Sequence, residues 1–276
     1  MKILNILVTA FLLSNAAQAS SLTVQTHTAN EAGFMVNSHL IMGAREAILV
    51  DAQFTRSEAR KVAEMVKASK RRLKAIFITH GHPDHYFGLE VLAKEFPSVP
   101  ILAAAETINE IKATSAGKLA YWKPMYKDDL TDTIVLPKPL SQPVLTVDGQ
   151  RLELVNLTPG ESESATILFN REQGLLVAGD LAYNQVHLWL AENRPEGWLK
   201  NLADLKSLGA ISSVLTGHGP VADASVLTLN ETYIRDFVTA TVKTASEAKA
   251  ELKTKYPSFK LPIIAELSVD ARKGSN

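Results

Sequence analysis

The feature that most constrains this chain is a cluster of histidines between a predicted strand and a predicted helix. Residues 79–85 read Thr-His-Gly-His-Pro-Asp-His, so three of the seven histidines in the chain fall within this stretch. A buried type of strand, Leu73 to Thr79, comes before it, and a helix is predicted from Asp84 to Phe96. Gly81 and Pro83 favour a sharp turn, which directs His80 and His82 into one space. This pattern predicts two adjacent metal ions.

Further metal ligands must come from other parts of the chain, and three suitable groups follow predicted strands. Asp180 comes after the apolar run 175–178, and its carboxylate is expected to bridge two cations. His218 lies in a loop with two glycines after another strand, while Asp51 ends an early strand. We expect Asp51 to orient a histidine ring rather than to bind metal.

These residues together resemble the metallo-β-lactamase superfamily over essentially the whole mature chain. The resemblance rests on seven side chains: Asp51, His80, His82, Asp84, His85, Asp180 and His218. It implies an α/β fold, a four-layer αββα sandwich with a two-metal site at the edge where both sheets meet. It also implies that the first two histidines bind one metal, that Asp84, His85 and His218 bind the other, and that Asp180 bridges the metals or joins the second.

The sequence departs from the family at one remaining ligand, which is normally a loop histidine. Residues 158–165 read Thr-Pro-Gly-Glu-Ser-Glu-Ser-Ala and contain no histidine. Glu163 is the favoured replacement, Glu161 is the alternative, and in a third interpretation both are solvated and water completes the shell. The two divalent ions are expected to be Zn²⁺, with Mn or Fe as alternatives. A carboxylate ligand would make the first site harder and more anionic, which favours oxygen-tolerant metals beside zinc.

Candidate substrate-binding residues lie outside this ligand set. His187, in an apolar segment after Asp180, either faces the pocket or is structural; its Asn-x-x-His segment loosely resembles that of alkyl sulfatases of the same superfamily. The stretch 104–143 is interrupted by prolines and is predicted to be an irregular insertion and pocket wall, with Tyr121 and Trp122 in it. His27 and His39 lie on predicted strands and are expected to be structural.

The first 19 residues have the layout of a secretory signal peptide. A short positive start precedes an apolar run from Ile3 to Leu13, and Ala17 and Ala19 provide the small residues of a cleavage site. The alternative, a membrane anchor, is disfavoured because the run is too short to span a bilayer. We therefore expect a periplasmic or secreted protein in which residues 20–276 form one domain, with no stable membrane insertion after the signal is removed.

Composition narrows the chemistry and the partners. Twenty-nine basic residues balance twenty-nine acidic ones, so the chain lacks the positive field that nucleic acid binding needs. It contains no cysteine, which excludes thiolate metal sites and cysteine nucleophiles. The expected partner is a small-molecule substrate, and the oligomeric state is left open.

The order of predicted elements indicates two halves, each a sheet with helices. Strands and helices alternate in the first half, several strands and then helices recur in the second, and no Gly/Ser/Pro linker separates the halves. We expect two sheets stacked face to face with helices outside, a long helical segment from Ala224 to Lys255, and a frayed tail from Asp270 to Asn276.

These features predict an exported binuclear hydrolase that uses a metal-bridged hydroxide on a lactone, β-lactam or ester, with Asp84 also handling the proton. The chain offers no Gly-x-Ser-x-Gly turn for a serine nucleophile. The alternatives are a sulfate ester hydrolase of the alkyl sulfatase type, a non-haem iron oxidoreductase of the same superfamily, and a metal-binding protein without turnover.

Overall fold

A computed structural model describes residues 21–274, which contain two β-sheets. The first sheet has six strands in chain order: β1 (Thr23–Thr28), β2 (Asn37–Met42), β3 (Glu46–Val50), β4 (Arg72–Phe77), β5 (Ile101–Ala103) and β6 (Lys138–Pro139). The second has five strands, β7 (Val144–Val147), β8 (Gln150–Asn156), β9 (Thr166–Asn170), β10 (Leu175–Tyr183) and β11 (Ser213–His218), in the spatial order β11-β10-β9-β8-β7. Strands β3 to β6 pair in parallel, as do β10 and β11, whereas the other pairs are antiparallel.

Eight α-helices accompany the sheets in the described part of the chain. They are α1 (Arg56–Ser69), α2 (Pro83–Tyr86), α3 (Leu89–Glu95), α4 (Ala105–Tyr126), α5 (Pro195–Asp204), α6 (Ser225–Ala240), α7 (Ala245–Lys255) and α8 (Pro262–Gly274). No helix among residues 21–274 combines the length and apolar character that crossing a membrane requires. The predicted signal peptide, residues 1–19, lies outside the described residues.

Three apolar clusters define four layers. Alternate residues of β3 point to opposite sides: Ile48 and Val50 pack between the two sheets, while Leu49 packs on the outer face with α1 and α3. The outer face of the second sheet packs in the same way against α5 and α6, through Trp198 and Phe237. Because both faces of these strands are buried, they appear in the sequence as continuous apolar runs. The predicted αββα sandwich is confirmed.

The two sheets are joined at one edge by hydrogen bonds. The backbone N–H of Thr166 donates to the carbonyl of Thr79 at 2.9 Å, which links β9 to the loop after β4. The Asn37 amide donates to the carbonyl of Thr216 at 2.8 Å, linking β2 to β11. The ends of β3, β4, β10 and β11 therefore meet at this edge.

Several helix predictions need correction. The stretch 104–143 is not irregular, since α4 fills residues 105–126. The predicted helix from Asp84 to Phe96 is split into α2 and α3, and the segment from Ala224 to Lys255 is split into α6 and α7, where Thr244 and Glu247 form a capping box that starts a new helix. The tail is helical through Gly274.

Candidate metal centre

The histidine stretch begins in the short connection after β4 and continues into α2, at the edge where the sheets meet. Its three imidazoles and its carboxylate are all buried, with His80 and His85 at 0% exposure. The rings of His80 and His85 lie 4.2 Å apart, centroid to centroid. Burying several ionisable side chains so close together costs folding free energy unless they are paired or bind a metal.

A first group of potential ligands comprises His80, His82, Glu161 and Asp180, whose ligand atoms all lie within 4.8 Å of one another. The Nδ1 atom of His82 lies 3.1 Å from Oε1 of Glu161. The Nε2 atom of His80 lies 3.7 Å from Oε2 of Glu161 and 3.6 Å from Oδ2 of Asp180. Two imidazoles and two carboxylates thus surround one space.

A second group comprises Asp84, His85 and His218, which satisfies the same distance limit. The Nε2 atom of His218 lies 3.3 Å from Oδ2 of Asp84. Asp180 joins this group to the first, because its Oδ1 lies 3.1 Å from Nε2 of His85 and its Oδ2 lies 3.2 Å from Nε2 of His218. This carboxylate is placed to be shared by two cations.

Asp180 can reach this position because glycine occupies position 217 on the neighbouring strand. A Cβ atom at Gly217 would lie 1.8 Å from Oδ1 of Asp180, a distance that no side chain tolerates. The close approach of β11 to the carboxylate therefore depends on the missing side chain.

Unpaired buried atoms test whether a metal fits here. Among residues 21–274, seven buried side-chain atoms have no hydrogen-bond partner and almost no solvent contact. Four of the seven belong to the cluster: Nε2 of His80, Nε2 of His85, Oε2 of Glu161 and Oδ1 of Asp180. Buried polar atoms are nearly always paired, so four that converge on one space indicate a missing partner. All four carry lone pairs, and mixed nitrogen and oxygen ligands suit Zn²⁺, Mn²⁺ or Fe²⁺. The residues fit a pair of divalent ions.

Asp51 holds one of these imidazoles in place. It accepts hydrogen bonds from the backbone N–H of Thr79 at 2.9 Å and from its hydroxyl at 2.8 Å. Nδ1 of His85 lies 2.8 Å from the same carboxylate and donates to it, which leaves Nε2 facing Asp180. Asp51 belongs to neither ligand group, and its hydrogen bond from Nδ1 orients the His85 ring.

A similar contact orients His218. Its Nδ1 atom donates to the carbonyl of Phe34 at 2.6 Å, so that Nε2 faces the two carboxylates. In both imidazoles a fixed acceptor, the Asp51 carboxylate or the Phe34 carbonyl, holds the proton on Nδ1 and leaves Nε2 free to bind a metal.

Tyr183 is a site residue that sequence reasoning missed. Its hydroxyl lies 2.6 Å from Oδ2 of Asp180 and 3.1 Å from Oε1 of Glu161, and its ring stacks on His218 at 4.7 Å. Three positions after Asp180, it would point to the opposite face of a regular strand, but the register of β10 shifts between Gly179 and Tyr183. The sequence carries no signal for this irregularity.

Of the two glutamates in the 158–165 loop, the structure brings Glu161 to the cluster. Glu161 is only 6% exposed, whereas the side chain of Glu163 is 59% exposed and forms an ion pair with Arg194. The preference for Glu163 is therefore corrected: Glu161, and not Glu163, belongs to the first ligand group.

The carboxylates determine the electrostatics of the cluster. Burial raises the pKa of Glu161 to about 7. Burial also opposes the charged form of His82, but Glu161 and Glu192 outweigh it and raise the pKa of His82 to about 10. His218 behaves likewise, since Asp180 and Asp84 outweigh burial and raise its pKa to about 10. The acids thus create a potential that attracts positive charge into the cluster.

A cavity of about 760 Å³ opens from this cluster, and all three predicted substrate-binding residues line it: Tyr121, Trp122 and His187. Nδ1 of His187 lies 2.7 Å from the hydroxyl of Tyr233, and burial lowers the pKa of His187 to about 4. The neutral imidazole is thus held by a structural contact while it borders the cavity.

The remaining histidines lie outside the ligand groups. His27 contacts Glu58 at 2.6 Å. Nε2 of His39 donates to the carbonyl of Thr216 at 2.9 Å. Both make the contacts of structural residues.

Comparison with known proteins places this arrangement in a family. The sequence model described as the Metallo-beta-lactamase superfamily matches residues 32–228, which include both ligand groups. A curated protein named hydroxyacylglutathione hydrolase, from Blochmanniella pennsylvanica, is 38% identical over 64 residues, which are 23% of this chain and 24% of that protein. The chain thus matches about a quarter of the length of this curated relative.

Solved structures agree in fold. A metallo-beta-lactamase family protein from Thermus thermophilus aligns with a TM-score of 0.64 and 23% identity over 91% of each chain. A metallo-beta-lactamase from Pontibacter korlensis aligns with a TM-score of 0.60 and 19% identity, over 79% of this chain and 96% of the other. At these identities the likeness concerns the fold alone. With the family match over most of its length and the two ligand groups at the meeting edge of two sheets, this chain belongs to the metallo-beta-lactamase superfamily.

Proposed function

We propose that this protein is a hydrolase with two divalent metal ions that cleaves a neutral small molecule such as a lactone, a β-lactam or a carboxylic ester. Superfamily members are generally metal-dependent hydrolases. The observation that carries the proposal is the pair of ligand groups joined by Asp180 at the end of an open cavity. The name of the hydroxyacylglutathione hydrolase relative supports hydrolysis as the reaction class.

Bound divalent ions at such a centre supply Lewis acidity and lower the pKa of water toward neutrality. In the reaction, a bond forms between water oxygen and the acyl carbon, the bond from that carbon to the leaving oxygen or nitrogen breaks, and a proton from water ends on the leaving group. Asp84 borders the cavity and holds Nε2 of His218 at 3.3 Å. Burial favours its neutral form, but His85 and His218 outweigh burial and keep the pKa of Asp84 below its usual range, so Asp84 is ionised. Its proposed role in moving the proton rests on its position beside the cavity, since a lowered pKa makes it a weak base.

The charge of the site favours a neutral substrate. Three carboxylates, those of Asp84, Glu161 and Asp180, offset most of the four positive charges of two divalent ions. Lys118 is the single lysine or arginine among the residues that line the cavity in the described part of the chain. Strong binding of a sulfate or phosphate ester normally uses several cationic donors.

A sulfate ester hydrolase of the alkyl sulfatase type is the second candidate. Glu161 in the histidine position and the mostly apolar cavity favour it, whereas the single lysine disfavours it. The proposed ions are Zn²⁺ first and Mn²⁺ or Fe²⁺ as alternatives, and the proposed location is the periplasm or the exterior, on the basis of the leader at residues 1–19.

The experiment is a substrate panel with matched variants. Purified protein would be loaded with zinc, manganese or, anaerobically, iron, with metal content measured, and assayed on lactones, β-lactams, carboxylic esters, phosphate esters and alkyl sulfates. We expect turnover of a neutral acyl substrate, its loss in Asp84→Asn, and its retention in the control Glu163→Gln. Release of sulfate from alkyl sulfates alone would favour the second candidate. Two bound metals without turnover of any substrate would refute the hydrolase proposal.

A further inference from the structure

The cavity beside the metal centre extends as an apolar groove between two helices. We define the α4–α8 groove by six side chains that line the cavity, three from each helix: Tyr121, Trp122, Met125, Ile263, Ile264 and Leu267. None of them ionises near neutral pH, so this part of the cavity offers contact area rather than charge.

Four of these groove residues are exposed although they are large and apolar. Their exposed fractions are 64% for Tyr121, 54% for Met125, 49% for Ile263 and 39% for Leu267. Residues 21–274 contain seven large apolar residues with such exposure, and the groove holds four of them. Single exposed apolar residues are ordinary, but a concentration of them in a concave surface marks a binding site for an apolar group.

The charged side chains that line the same cavity lie at its metal end. Lys118, about two helical turns before Met125 on α4, donates to the carbonyl of Gly81 at 2.8 Å and borders the cavity. Glu192 lies at this end too, 3.6 Å from His82. The cavity therefore has a polar end at the metal ligands and an apolar end at the groove.

We propose that the substrate is an amphiphile whose neutral hydrolysable head lies at the metal centre and whose apolar chain lies in the α4–α8 groove. This inference depends on the hydrolase function proposed above, which it refines by naming the substrate class. Seven residues of helix separate Lys118 from Met125, a rise of about 10 Å, which accommodates a chain of roughly eight carbons. The cavity volume of about 760 Å³ lies within the range of sites that enclose a small-molecule ligand.

A homologous series of γ-lactones, from γ-butyrolactone to γ-dodecalactone, tests the inference because the ring is constant and only the chain grows. Burial of each added methylene is expected to raise kcat/KM about fourfold until the groove is filled. Met125→Gln combined with Leu267→Gln, two substitutions at exposed groove positions, is expected to flatten this dependence, so that the kcat/KM of γ-dodecalactone falls toward that of γ-butyrolactone. Val242→Gln is the matched control, since Val242 is 83% exposed and does not line the cavity.

The outcomes separate this inference from the proposed function. Hydrolysis of all lactones at equal kcat/KM, or an equal chain-length dependence in the double variant, overturns the amphiphile inference and leaves the hydrolase proposal standing. If no lactone is hydrolysed, calorimetric titration of the metal-loaded protein with alkan-1-ols from butanol to decanol decides the groove separately. Affinity that rises about fourfold per methylene in the wild type and not in the double variant supports the groove, and affinity independent of chain length refutes it.

Discussion

Replacing Glu161 tests whether this carboxylate, one of the four members of the first ligand group, binds a metal ion. Glu161→Gln keeps the shape of the side chain but removes the charge and one of two lone-pair oxygens. The first ligand group then has a single carboxylate, that of Asp180, which the second group also uses. Loss of a contact that only orients a ligand typically weakens metal binding 10- to 100-fold, so loss of a direct ligand should weaken it by about 100-fold or more. That factor corresponds to about 2.7 kcal/mol.

Glu163→Gln is the matched control, two positions along the same loop. Its side chain is 59% exposed and pairs with Arg194, an ion pair that contributes at most about 1 kcal/mol to stability. We expect metal affinity within about threefold of the wild type for this variant. Melting in the presence of a chelator should show that both variants fold.

The assay is competition for zinc and manganese against a chromogenic chelator, followed by the metal content of dialysed protein. We expect Glu161→Gln to retain less than two equivalents while Glu163→Gln retains both. Glu161→His should shift the preference from manganese toward zinc, because imidazole is a softer ligand than carboxylate. Equal affinities of Glu161→Gln and wild type would refute the assignment of Glu161 as a ligand, as would a larger loss in Glu163→Gln.

Three further predictions concern residues around the cluster. Tyr183→Phe keeps the ring against His218 but loses the hydroxyl contacts at 2.6 and 3.1 Å, so metal affinity in the same competition assay should fall about 10- to 100-fold. An unchanged affinity would show that the hydroxyl does not help to hold the ligands. Asp51→Asn leaves His85 and Thr79 without a charged acceptor; we expect a loss of about 3 kcal/mol in urea unfolding, and a loss below about 0.5 kcal/mol would contradict this role. Burial lowers the pKa of His39 from 6.5 to about 4. As pH falls from 6.5 to 4, the imidazole therefore binds a proton in the unfolded chain but not in the folded protein, and the free energy of unfolding falls by about 3 kcal/mol over that window. His39→Gln should reduce that pH dependence by the same amount, and equal slopes for the two proteins would refute the prediction.

The histidine stretch and its partners could be predicted because local sequence places them. An apolar strand followed by a tight turn places His80 and His82 just after the end of β4. The later strands β10 and β11 are also apolar and carry Asp180 and His218 near their ends. Asp180 and His218 lie in strands that end at one edge, so the order of strands brings them together without knowledge of side-chain packing.

The choice between Glu161 and Glu163 could not be made from sequence, because distant residues fix the loop that carries them. The backbone N–H of Thr158 donates to the Asn201 side chain at 3.1 Å, and the Asn201 amide donates back to the carbonyl of Thr158 at 2.7 Å. A Cβ atom at Gly160 would lie 3.0 Å from the backbone of Trp198, so α5 packs directly on the loop. Contacts over some forty residues determine which glutamate points inward.

Helix α4 was missed for a different reason, which also bears on its role. Sequence periodicity reveals a helix when its apolar residues all face the core, but only four residues of α4 are buried. Tyr121 and Met125 instead face a cavity that is open to solvent. Because these apolar residues line an open cavity instead of packing in the core, the irregular pattern of α4 reflects its place in the cavity wall.

Glu161 and Tyr183 are best understood as one arrangement. Two buried carboxylates, Glu161 and Asp180, face the same group of histidines and repel each other when both are ionised. The Tyr183 hydroxyl lies within hydrogen-bond distance of both and can donate its proton to one of them. Burial raises the pKa of Tyr183 well above its ordinary value, and the charges of Asp180 and Glu161 add to that effect, so the phenol keeps its proton. A neutral histidine at position 161 would bring no second negative charge for that proton to offset, so the Tyr183 phenol serves the pair of carboxylates that Glu161 and Asp180 form.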